Sequence, residues 1–255
     1  MESNKLTVKF GGGICSCLSV RLDNAMRYFE EKGFFPDEID SSKQFSFYRG
    51  GVISTDFSKI LFSSYIKDNT LPYVPFSHGW QYNWYDNIQL SELYKLAMYI
   101  CPVSKEILEK EREYLLIIGN RTCILYRGND KQKEITETPY EIILKMAKES
   151  ESKSFLIQTD EKNFYEAFKK EFPDTIRIEE IPMIEKNINS YVMPKPNERG
   201  KFLINFLAAL KAIGQANKLI TITGNTGLWA VIFRGQTNNV WQYNGNLKEW
   251  KKLKE

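Results

Sequence analysis

One histidine, His78, stands in the whole chain. That scarcity excludes most imidazole metal sites and any H-E-x-x-H helix. His78 reads as a loop residue rather than a catalytic base. Other signatures are missing too. There is no G-x-x-x-x-G-K-[ST] phosphate loop, no dinucleotide glycine fingerprint, no G-x-S-x-G elbow and no Asp-x-Asp pair. No apolar run approaches the roughly 18 residues of a membrane helix. Residues 1–10 lack the apolar stretch of a signal peptide, so the expected location is cytoplasmic. The four cysteines, Cys15, Cys17, Cys101 and Cys123, have no zinc spacing and read as free thiols of a reducing compartment. Asn120-Arg121-Thr122 matches a glycosylation acceptor, which has no meaning without secretion. Charge of one sign is also lacking. Thirty-five basic against 32 acidic residues leave a net +3, which gives no reason to expect a nucleic-acid partner.

What is present is an ordinary globular composition. The 255 residues are 42% hydrophobic and 26% charged, enough for one large domain or two small ones. Aromatics reach 14%, with 14 Tyr and 5 Trp, an excess that suits core building and also sugar or base stacking. The run Trp80-Gln81-Tyr82-Asn83-Trp84-Tyr85 reads as core, with a sugar-stacking wall as the alternative.

The first part opens with a strand over residues 6–10, the glycines Gly11, Gly12 and Gly13, and a helix with Leu18, Leu22, Met26 and Phe29 on one face, ended by Gly33. Further strands are predicted at 44–48, 51–53 and 60–62, and helices at 90–100 and 104–112. The second part alternates more regularly. Strands are predicted at 114–118, 123–126, 155–157, 176–181 and 218–222. Helices are predicted at 140–148, 163–171, 202–216 and from 228, with a charged last helix from 250. Alternation of this kind implies a parallel, doubly wound sheet. The boundary falls near Arg112, dividing residues 1–112 from 113–255.

Three strand ends of the second part carry polar groups: residues 127–131, Thr159-Asp160, and residues 223–226. In a parallel sheet all three lie along the edge where α/β folds bind ligands. The planar fork of Arg127 suits a diphosphate, with Asp130 and Lys131 close behind it. Thr223, Gly224, Asn225 and Thr226 open a helix, whose free N–H groups favour a phosphate. Simple helix capping is the alternative. Asp160, an acceptor-only group, suits a guanine edge or a helix cap. Gly12 and Gly13 allow close backbone approach to a ligand.

Arg127-Gly128-Asn129-Asp130-Lys131 resembles the His-x-Arg-x-x-Asp-Lys donor motif of the fucosyltransferase superfamily, which includes α-1,2-, α-1,6- and protein O-fucosyltransferases; Leu125 stands at the His position. Gln158-Thr159-Asp160 looks like that superfamily's Thr-Asp element, whose Asp contacts guanine. Residues 221–226, followed by Leu and Trp, look like its C-terminal phosphate loop, and residues 11–22 like its glycine-rich first loop. The ordered set of Cys17-Leu-Ser-Val-Arg21, Asp40-Ser-Ser-Lys-Gln44, residues 127–131, Thr136-Glu-Thr138 and residues 229–235 is similar to short predicted glycosyltransferases of large DNA viruses and microbes.

The resemblance implies a GT-B architecture, two Rossmann-like halves with parallel sheets facing a cleft. Residues 1–112 would take the acceptor and residues 113–255 the nucleotide sugar. It implies an inverting transferase moving a sugar, fucose first, from a GDP-sugar to a glycan or glycoprotein hydroxyl. Arg127 would act on the diphosphate, and Glu137 or Asp23 would be the general base. No metal cofactor is expected. A transferase for another nucleotide sugar, a non-catalytic nucleotide- or glycan-binding module, and an interaction protein using its aromatic patch are the alternatives.

Overall fold

The computed structural model describes residues 4–49, 56–68, 70–129, 134, 136–187, 189–190 and 192–254. Strand β1 (Lys5–Thr7) leads through the glycines into helix α1 (Ile14–Lys32). Gly33 ends that helix at φ 77°, its N–H on the Phe29 carbonyl at 2.8 Å, the left-handed stop that glycine takes without a Cβ clash. Strand β2 (Glu38–Asp40) returns parallel to β1, with Leu6 opposite Ile39. A 3-10 turn (Ser46–Tyr48) and a short helix α2 (Ser58–Leu61) stand where strands at 44–48 and 60–62 were expected. The strand expected at 51–53 lies outside the described residues.

Helices α3 (Leu90–Ile100) and α4 (Lys105–Ile118) follow. The apolar run 114–118, expected as a strand, is the last turn of α4. Ile107, Glu111, Tyr114 and Ile118 recur at helical spacing on its buried face, while Leu116 is 84% exposed. Arg112, the expected boundary, falls inside that helix.

The second part is β3 (Thr122–Tyr126), α5 (Tyr140–Glu149), β4 (Phe155–Thr159), α6 (Lys162–Glu171), α7 (Arg199–Gly214), β5 (Lys218–Ile222), α8 (Asn225–Arg234), β6 (Val240–Asn244) and β7 (Glu249–Lys252). The sheet order is β4-β3-β5-β6-β7. The first four strands are parallel, and β7 closes the edge antiparallel to β6. The expected helix from 250 is this edge strand. Residues 176–181 reach the sheet through a single bridge, Ile176 to Leu156.

One core cluster runs from α1, α3 and α4 through α7 and α8 to the near face of the sheet, spanning both sides of Arg112. A second lies under α5 and α6 on the far face, where Tyr126 stacks on Phe164 at 4.0 Å. Strand order reverses between β3 and β5, since the chain passes from β3 outward to β4 and later returns to β5. That reversal opens a crevice at the carboxyl ends, the usual ligand position of such sheets.

Candidate functional site

A cavity of about 400 Å³ occupies that crevice. Gly12, Gly13, Arg127, Asp160, Thr223, Gly224, Asn225 and Thr226 all line it. Parallel strands put every carboxyl end on one edge, so residues up to 100 positions apart in sequence meet. Asp130 and Lys131 lie outside the described residues.

Arg127 leaves the end of β3 with its Nε 3.6 Å from Asp160 Oδ2 at the end of β4. The Asp160 carboxylate also takes the Gly128 N–H at 3.1 Å, and its carbonyl takes the Asn129 side-chain amide at 2.8 Å. Asn129 Oδ1 in turn accepts the Asn187 N–H at 2.7 Å. Asp160 therefore holds the arginine loop in place. Burial pushes the pKa of both Cys15 and Tyr48 up, the Cys15 thiol to about 12, and the same guanidinium opposes that rise. A thiol so protonated is no nucleophile near neutrality.

The second wall is the first turn of α8. Gly224 sits at φ 138° ahead of it. A Cβ on Gly227 would stand 2.4 Å from the Ile222 carbonyl and 2.5 Å from Thr221 Oγ1, so only glycine lets the helix seat on the tip of β5. The leading N–H groups of a helix have no intrahelical acceptor and attract anions. Thr223 is partly occupied, its Oγ1 accepting the Gly245 N–H at 3.1 Å.

The Asn225 side chain is fully engaged. It donates to Ser16 Oγ at 2.9 Å and Gln81 Oε1 at 2.9 Å, and lies 3.3 Å from His78 Nε2. Its oxygen accepts the Ser19 hydroxyl at 2.8 Å, and Ser19 accepts the Trp229 indole N–H at 2.8 Å. This network joins α1 and the 78–82 turn to α8. Nearby, Gly224 N–H reaches the Gln81 carbonyl, the buried Tyr85 N–H reaches Gln242, and the Gln242 amide reaches the Asn83 carbonyl. The aromatic run 80–85 is thus packed as a seam between the two parts and contributes nothing to the cavity lining.

The first part supplies backbone. The N–H groups of Phe45 and Phe47 bond the Phe10 and Gly11 carbonyls, and Tyr48 Oη accepts the Ile14 N–H at 3.2 Å. The resembled motif residues behind them are structural. Buried Arg21 donates to the Ile100 carbonyl at 2.7 Å and lies over Phe62, and the Gln44 amide donates to the Cys17 carbonyl at 2.9 Å.

The two expected bases are placed elsewhere. Asp23 pairs with Arg27 at 3.1 Å on α1, and Glu137 pairs with Lys186 at the surface; neither lines the cavity. The acidic residues that do are Asp160 and Glu134, the second unremarked in the sequence. Gln158 lines the cavity beside Asp160, and Glu161 was missed. Glu161 is fully buried, with both oxygens lacking a hydrogen-bond partner among the described residues. It abuts Gly128, where a Cβ would stand 1.8 Å from its Oε2. Burial raises its pKa to about 7, Lys186 opposes the rise and Glu137 adds to it.

All four cysteines are free and buried. No described helix is long and apolar enough to cross a membrane. No family model matches the chain, and no curated protein sequence does. Solved structures do match. The α-1,6-fucosyltransferase NodZ soaked with GDP-fucose superposes with TM-score 0.54 at 12% identity over 98% of both chains. NodZ co-crystallised with GDP gives the same values, and NodZ from Bradyrhizobium gives 0.53 at 12% over 98% of both. The chain therefore has a GT-B-like α/β fold, and its likeness to these structures is one of architecture.

Proposed function

We propose that this chain is an inverting glycosyltransferase that moves fucose from a GDP-sugar to a glycan or protein hydroxyl without a metal. The observation that carries the reading is Arg127, held by Asp160 at the sheet's reversal point and facing the first turn of α8 across one cavity. A cation and a helix N-terminus aimed at one space suit a diphosphate. Charge builds on that diphosphate as the anomeric bond breaks, and preorganised donors stabilise it as it forms. In this reading residues 113–255 bind the donor and residues 1–112 face the acceptor. Gly12 and Gly13 leave room for the sugar. Inversion needs a base at the acceptor hydroxyl. Glu134, a carboxylate in the cavity wall, takes that role in place of Glu137 or Asp23.

The test is calorimetry with GDP, UDP, CDP and ADP, followed by turnover of GDP-fucose with and without acceptor hydroxyls. Micromolar binding of GDP above the others, lost in Arg127→Ala, is the expected result. No binding of any nucleotide at millimolar concentration would exclude the reading. Binding without transfer or hydrolysis would leave a non-catalytic module.

A further inference from the structure

The cavity has two zones. One is the polar rim of strand ends. The other is an apolar recess between the sheet and α7, walled by Phe206, Leu210, Ile213, Ile181 and Leu125. Gln158 is the polar side chain that β4 adds to this zone. It is Leu125's partner across the parallel pair, on the face whose neighbours Leu125 and Leu156 join the core around α7. Gln158 is 6% exposed, lines the cavity, and has no hydrogen-bond partner at Oε1 or Nε2 among the described residues.

A buried amide left without partners is costly, and native proteins keep few of them. In the neighbouring Asp160, Oδ1 accepts the Gly128 N–H and Oδ2 faces Arg127 as an ion pair. We infer that Gln158 reads the nucleobase of the donor, its amide N–H donating to guanine O6 and its carbonyl accepting guanine N1–H while the ring lies in the apolar recess. A side-chain amide carries one donor group and one acceptor side by side, and bidentate pairing of this type is a main source of base discrimination. A base at β4 then places the diphosphate over β3 and β5 and turns the sugar toward Gly12 and Gly13. The inference rests on the nucleotide-sugar reading above.

The experiment is titration calorimetry of the intact chain and of Gln158→Leu with GDP, with inosine diphosphate and with inorganic pyrophosphate as a base-free probe. Gln158→Leu should weaken GDP and inosine diphosphate at least about tenfold and leave pyrophosphate unchanged. Its melting temperature should match or exceed that of the parent, because the unpartnered amide is gone. Gln158→Met, closer in length, carries the same test if the leucine variant does not fold. Unchanged GDP affinity, or an equal loss of GDP and pyrophosphate, would overturn the inference and leave the transferase reading standing. Inosine diphosphate binding the parent more than about tenfold weaker than GDP would overturn the assigned atoms, since it keeps O6 and N1–H. A parent that binds neither GDP nor pyrophosphate would overturn the transferase reading instead.

Discussion

The two walls of the cavity are made of different material. The wall from residues 113–255 presents side chains: Arg127, Asp160, Gln158 and the mouth of α8. The wall from residues 1–112 presents two glycines, Phe47 and the Tyr48-capped start of α1, with no charged side chain among the described lining residues. Among the described residues the sheets behind them differ in the same way, five strands against two short ones. A reversal of strand order within a wide parallel sheet gathers functional groups from several distant positions. A two-stranded sheet has no such point, so its half offers close approach in place of charge.

That contrast can be broken by mutation. Arg127→Ala removes the cation from the side-chain wall. It should cut transfer about 10²–10³-fold, the usual loss for one preorganised charge-stabilising group, with the melting temperature within about 2 °C of the parent by scanning calorimetry. A transfer rate within threefold of the parent (about 0.7 kcal/mol) would contradict it. Gly227→Ala pushes a Cβ into the Ile222 carbonyl and should cost about 3 kcal/mol in chemical denaturation. Asn225→Ala strips the bonds to Ser16, Ser19 and Gln81 and should cost roughly 2–3 kcal/mol. A smaller cost there would mean the two walls are held by core packing alone.

Glu161→Gln probes the carboxylate behind the arginine loop. Its folded pKa lies above the ordinary carboxylate value, so the folded state binds the extra proton between about pH 4.5 and 7. Stability from this group is present below that window and lost as pH rises through it, on the order of 3 kcal/mol. Gln, neutral throughout, should flatten that part of the stability profile relative to the parent. The smallest effects belong to Asp23→Ala and Glu137→Gln, which break ion pairs to Arg27 and Lys186 and should each cost less than about 1 kcal/mol. Transfer should be nearly unchanged in both. A large loss of rate in either would return it to the role of base.

The strand-end chemistry was legible because β3, β4 and β5 end in polar residues at once, and a parallel sheet leaves no choice about where those ends go. Asp23 was misjudged for a geometric reason. Nine residues of helix separate it from Ile14, about 14 Å at the helical rise, too far down α1 to face the glycine loop. Gln158 was legible only as the residue before Thr159-Asp160, because alternation along a buried strand cannot say that its amide stays unmatched. The apolar end of α4 and the charged strand β7 misled because short segments carry too little periodicity to separate helix from strand. Pairing with β6, a long-range event, decides the second case.

The Asn225 and Tyr85 seam has a mechanical consequence. Two parts riveted by Gln81, Gln242 and Asn225 cannot swing apart like jaws without tearing four buried or part-buried bonds. The cleft is a vise set at one width. X-ray scattering profiles of the free and GDP-saturated protein should overlay, and under the proposed function the sugar must fit a gap that was measured out when the chain folded.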